Sequence, residues 1–288
     1  MRLSMGAALS GFKNRGPGHE EKTLARGEHN ATVIAIAAQK GGVGKTTTSV
    51  TLASAWARFH GKKVLLIDLD PQGHVNLAMR EQIELGGGAI SDILGEPSPL
   101  EVHEIRTGTS VDNLFVTPAD PQLLGTEDRM SSRIGKEMVL KKALEITRSH
   151  YDIIVIDCPP NIGSLTVNAL VAADQVLIPT NPAALGLAGV AGLMNIVHEV
   201  RALNVELLIG GIIMTRLDGR NTRSNEAVME LVEDNFGDML IPTHIGVSDA
   251  LGQAQLSGQD IYEYDANCRG AQQYKDLAAH LLQRLEIE

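Results

Sequence analysis

The sequence predicts an α/β fold, a doubly wound, mostly parallel sheet with helices on both faces. Three observations carry that expectation. From Thr32 onward, short apolar runs alternate with helix-like patterns. Apolar residues make up 43% of the 288 residues and aromatics only 3%, so the core must be built from Ala, Val, Ile and Leu, as parallel sheets under helices usually are. A Gly-rich turn, Gln39 to Thr47, also stands between an apolar run and a helix-like segment.

In chain order, residues 1–30 read as a flexible extension, rich in Gly, Lys, Arg and Glu and without periodicity. Its bases (Arg2, Lys13, Arg15, Lys22, Arg26) outnumber its acids (Glu20, Glu21, Glu28), which suits a solvated tail or a weak contact with DNA or a partner. One domain over 31–288 follows. Its strands are expected at Val33–Ala38, Val64–Ile67, Leu114–Thr117, Ile153–Ile156, Val176–Pro179, Leu208–Met214 and Met239–Ile241. Helices are expected at Thr46–Phe59, Gly135–Arg148, Ser164–Ala172, Leu187–Leu203, Thr222–Asn235 and Ala271–Leu285. Gly86-Gly87-Gly88 and Glu96-Pro97-Ser98-Pro99 mark loops in an insertion after the second strand. Right-handed crossovers then make the sheet parallel and place ligands outside the carboxyl ends of its strands.

Composition excludes several classes. The net charge of −10 argues against a globally basic nucleic-acid binder, though a local patch can still meet phosphate backbones. No apolar run approaches the roughly 18 residues of a spanning helix, and the N-terminus lacks a secretory core. Two cysteines, Cys158 and Cys268, offer neither a disulfide framework nor a metal spacing. A soluble cytoplasmic protein is the simplest expectation.

The chemistry concentrates in three stretches. In Gln39-Lys40-Gly41-Gly42-Val43-Gly44-Lys45-Thr46-Thr47 the glycines let successive backbone N–H groups converge, and the helix that follows adds its positive end. Lys45 there supplies a full charge for β- and γ-phosphates, and the Thr46 hydroxyl can ligate Mg²⁺. The usual first glycine of such a loop is replaced by Gln39, and a second lysine, Lys40, stands beside it. Val64 to Ile67 runs into Asp68-Leu69-Asp70-Pro71-Gln72-Gly73, where Asp70 lies past the strand and can orient a water or hold Mg²⁺ through one. Ile153 to Ile156 followed by Asp157 is a Walker B pattern, with Pro159-Pro160 stopping the strand. Cys158 reads as a packed thiol. Lys40 stays open at this point: it is either a solvated lysine or a cation offered across a two-fold axis to a partner's nucleotide.

These motifs together resemble the ParA/Soj branch of the deviant Walker A P-loop ATPases. The resemblance continues through Asn168 to Asp174, Leu177-Ile178-Pro179 and Glu263-Tyr264-Asp265, ending near Arg269-Gly270-Ala271. Gln39 fits this branch better than the MinD branch. The likeness implies ATP and Mg²⁺ as cofactors, an ATP-dependent sandwich homodimer, non-specific DNA binding, and slow hydrolysis stimulated by a ParB-like partner. It implies roles as well. Lys40 acts in trans, and Gly41, Gly42, Val43, Gly44, Lys45, Thr46 and Thr47 hold the nucleotide. Asp70 positions water, Thr46 and Asp157 serve the metal, and Pro242 lies on the adenine side.

One departure stands out. Where relatives carry a basic pattern like P-R-N-V-R-L, this chain has Pro242-Thr243-His244-Ile245-Gly246-Val247, so two positive charges are missing. Arg216, Arg220 and Arg223 cluster in one stretch and are the expected substitute DNA patch. The function implied is plasmid or chromosome partitioning on the nucleoid. The alternative is positioning of a non-DNA cargo, such as a chemosensory cluster, microcompartment or pole, through a cargo adaptor. A ligase-like metabolic enzyme of the same superfamily is a third, argued against by Asp70-Pro71-Gln72-Gly73. The acidic C-terminus, Leu285-Glu286-Ile287-Glu288, does not suit anionic lipid, so no membrane partner is expected.

Overall fold

Seven strands line up among the described residues: β1 (Thr32–Ile36), β2 (Val64–Asp68), β3 (Thr107–Gly108), β4 (Leu114–Thr117), β5 (Ile153–Asp157), β6 (Gln175–Thr180) and β7 (Leu208–Met214). They form one sheet in the order β3-β4-β2-β5-β1-β6-β7. Every pairing is parallel except β3 with β4. The structure is a computed structural model that describes residues 29–95, 100–182, 184–218 and 222–287. The expected extension therefore falls outside the described residues up to position 28, as does the loop at 96–99.

Alternate residues of each strand serve two cores. Ile34, Ile36, Leu66 and Val155 pack with Trp56, Tyr274, Leu277 and Leu281 of the helices Lys45–His60 and Arg269–Arg284. Val33, Ala35, Leu65, Ile67, Ile154 and Ile156 pack with Leu140, Leu170 and Leu193 of the helices Val139–Ala143, Ser164–Ala172 and Ala184–Val200. Burial on both faces is why the strands read as unbroken apolar runs instead of alternating ones. The Trp56 indole N–H donates to the Ala278 carbonyl at 3.0 Å, giving the one tryptophan a partner in the core.

The chain leaves β1 in one direction for β2 and later crosses to the other side for β6, so the order reverses at β1. Crossovers on opposite faces diverge there and open a crevice at the carboxyl ends of β1 and β5.

Two expectations need correction. Met239–Ile241 is not a strand: Gly237–Met239 is a 3₁₀ turn, and only Leu240 bridges β7, at Ile212. Ile241 N and Ile245 N do reach β7 carbonyls, but Pro242 between them has no N–H to continue the ladder. The helix expected over Gly135–Arg148 is broken into the 3₁₀ turn Lys136–Met138, the helix Val139–Ala143 and the 3₁₀ turn Thr147–His150. Tertiary partners capture its backbone. Asn168 accepts from Leu140 N and donates to Lys136 O, and the Glu101 carboxylate accepts from Ile146 N and Thr147 N. The sequence reading also missed β3 and the short helices His74–Ala78, Ser91–Leu94, Val102–Ile105, Leu123–Ser131, Asp249–Ser257 and Ile261–Asp265.

Candidate functional site

The loop after β1 turns on glycines. Gly42 and Gly44 adopt φ of 74° and 86°, a region where a Cβ is costly. Gly44 caps the helix Lys45–His60 with no side-chain acceptor, so the first N–H groups of that helix stay free for a ligand. Lys45 is buried in the crevice, and burial lowers its ammonium pKa against the opposing pull of Asp157, Cys158 and Asp70.

Asp157 closes β5 and is fully buried. Its carboxylate accepts from Thr46 Oγ1 at 2.7 Å and Ser49 Oγ at 2.8 Å. Burial nevertheless pushes its pKa up to about 6, because two hydroxyls and Lys45 do not replace the lost water. Its neighbour in register is Asp68, also fully buried and raised well above the carboxylate range by burial and by the Asp157 charge. Asp68 is a scaffold: its oxygens accept from Asp70 N and Val75 N and bend the chain after β2 into the helix His74–Ala78. That bend brings Asp70 to the crevice, where Gln72 N donates to it and His74 Nδ1 lies 3.7 Å away.

A cavity of about 380 Å³ opens over this group, lined by Gly41, Gly42, Gly44, Lys45, Thr46 and Asp70 among others. A second, of about 480 Å³, adjoins it and is walled by Thr215, Ile245 to Asp249, Leu251 and Tyr274. Gly44, Thr47, Arg216, Gly252, Gln255 and Leu256 belong to both. An anionic end therefore fits the cationic loop, and a bulkier, less charged end fits the adjoining cavity. Among the described residues no group of three or more His, Cys, Asp or Glu could hold a metal alone. A lone carboxylate with a hydroxyl beside it suits instead a hydrated Mg²⁺ that shares its ligands with substrate phosphates.

Lys40 stands apart from both cavities. It is half-buried in a small cleft with Gln39, Val43, Pro179 and Gly189. Pro242 is exposed and lines neither cavity; Ile245 to Asp249 form that wall instead. Arg216, expected on a DNA surface, faces the cavities and donates to Gly42 O at 3.3 Å. Arg220 lies outside the described residues, as does the side chain of Arg223. Cys158 is fully buried, and burial raises its thiol far from reactivity.

The sequence reading passed over Ser49, Thr215, Gln255 and Tyr274. Ser49 had a signal, four residues beyond Lys45 on one helix face. Thr215 had none: its hydroxyl donates to Val43 O at 2.8 Å across the sheet end.

Comparison with known proteins agrees with this geometry. A family model described as an AAA domain matches residues 31–209. The chain is 42% identical over 247 residues to the sporulation initiation inhibitor protein Soj of Bacillus subtilis, covering 85% of this chain and 96% of that one. It is 37% identical to the chromosome partitioning protein ParA of Caulobacter vibrioides, covering 88% and 94%. Among solved structures it is similar to cobyrinic acid a,c-diamide synthase from Mycobacterium smegmatis with bound ADP and magnesium. That match has a TM-score of 0.75 and 29% identity, covering 89% and 96% of the two chains.

Proposed function

The chain belongs to the ParA/Soj family of P-loop ATPases, within the ParA/MinD superfamily, and on that premise we propose that it is an ATP-switched partition protein. The observation that carries this reading is the group at the crevice: Lys45 buried at a bare helix end, with Thr46 bonded to the Asp157 carboxylate beside it. ATP with Mg²⁺, when bound, supplies the phosphoanhydride whose hydrolysis resets the switch. Lys45 and the N–H groups from Gly41 to Thr47 hold its phosphates. Thr46 would hold the metal and Asp157 would stand as the carboxylate beside it, the pair being already bonded to each other. Asp70 orients the attacking water, which its place in the cavity wall supports.

Lys40, which lines neither cavity of its own subunit, reaches the nucleotide of a second copy, so the ATP-bound form is a dimer. That dimer binds DNA without sequence preference, and a ParB-like protein speeds an otherwise slow hydrolysis that releases it. The place of action is the cytoplasm, on the nucleoid. No helix among the described residues is long and apolar enough to cross a membrane. A metabolic reading, which the name of the M. smegmatis structure suggests, is disfavoured by the higher identity to Soj and ParA.

DNA mobility with ATP, with ADP and with neither, at two salt concentrations, tests the proposal. Retardation should require ATP and weaken with salt. Equal retardation in all three states would reject the switch.

A further inference from the structure

Arg216 sits where the two cavities meet, and its backbone is held there under strain. Its φ is 56°, a left-handed conformation that crowds the Cβ of any residue but glycine. Such outliers persist only where their surroundings over-determine them. The bracing is visible on both sides. Before it, Thr215 Oγ1 donates to Val43 O of the phosphate loop and to Thr180 O of β6. After it, Leu217 N donates to Ile245 O and Val247 N to Leu217 O, at 3.1 Å each.

The held side chain is not spent on a carboxylate: among the described residues its hydrogen bond is the long one to the neutral Gly42 carbonyl. Gln255 Nε2 in turn donates to Thr47 Oγ1 at 2.9 Å. Arg216 and Gln255 both line both cavities, so they flank the neck between the phosphate end and the wider end. A guanidinium parked 3.3 Å from a neutral carbonyl exchanges that contact readily for charge-assisted, bidentate bonds to phosphate oxygens.

We propose that Arg216 is a nucleotide-phosphate ligand acting within its own subunit, released from Gly42 when a nucleotide bridges the neck. It is not part of a DNA surface. This rests on the ATP-binding reading above and adds a third cation to Lys45 and Lys40. Gln255 leaves Thr47 in the same event and frees that hydroxyl toward the phosphates.

The test is equilibrium titration of the full chain with ATP and with ADP, using Arg216→Ala, Arg216→Lys and Arg216→Gly. Alanine should weaken both nucleotides by about tenfold, as loss of one charge-assisted bond does. Lysine should recover part of that loss, keeping the charge without the fork. Glycine relieves the backbone strain, so it should melt no lower than the parent while binding nucleotide as weakly as alanine; this separates ligand loss from misfolding. DNA retention at saturating ATP should match the parent. ATP affinity within twofold of the parent in the glycine variant would overturn the proposal, as would a loss confined to DNA affinity. Failure of the parent itself to bind ATP would instead reject the reading on which the proposal rests.

Discussion

A carboxylate that closes a buried strand faces two demands, to be charged for a cation and to be neutral for the core. Asp157 is caught between them. Its pKa stands near 6 against 3.8 for the free group, so between those values the folded chain holds a proton that the unfolded chain does not. Stability from this group is therefore present at low pH and lost as pH rises through about 6. Without magnesium or nucleotide, the parent should gain about 1 kcal/mol of unfolding free energy between pH 7 and pH 5 relative to Asp157→Asn. Denaturant titrations at the two pH values measure it, and identical profiles would contradict the assignment. Metal binding has the opposite sign, because Mg²⁺ needs the carboxylate ionised.

At the scale of elements, the phosphate helix Lys45–His60 is steadied by the C-terminal helix Arg269–Arg284. Thr48 and Tyr274 are both buried, and their hydroxyls meet at 2.9 Å. Tyr274→Phe keeps the ring and strands the Thr48 hydroxyl, at a cost of about 1–2 kcal/mol, visible as a lower denaturant midpoint with unchanged slope. Nucleotide affinity should fall little, since phenylalanine keeps the ring that walls the second cavity, the lost hydroxyl is engaged with Thr48, and Thr48 lines neither cavity. An unchanged midpoint would mean Thr48 finds another acceptor. How far such elements were legible depended on who satisfies their backbone. Ser164–Ala172 matches its expected bounds because its distant partners, Glu127 on Leu165 N and Asn204 on Leu170 O, meet only its end turns, whose groups lack a partner within the helix. Residues 135–148 read as one helix but are cut by Asn168 and Glu101, partners about 30 to 45 residues away that no local pattern announces.

For the whole molecule, the proposed switch turns on a second copy. Lys40 lines a cleft separate from the Lys45 cavity. Lys40→Ala should therefore leave ATP affinity within a few-fold of the parent and abolish the ATP-dependent dimer. Sedimentation with a non-hydrolysable analogue reads this, and a dimer of normal strength would remove Lys40 from the partner's site.

The amino-acid order alone determined the alternation of strand and helix, the glycine turn before Lys45, and the carboxylates Asp70 and Asp157 at the crevice, because each is written in contiguous residues whose own periodicity, glycines or carboxylate after an apolar run carry the signal. Only the folded chain decided that Arg216 faces the two cavities beside the glycine loop, that Ile245 to Asp249 and not Pro242 wall the second, and that Gln255 rests on Thr47. Those placements join the ends of different strands and helices at one crevice. A spacing of some 170 to 210 residues carries no local signature.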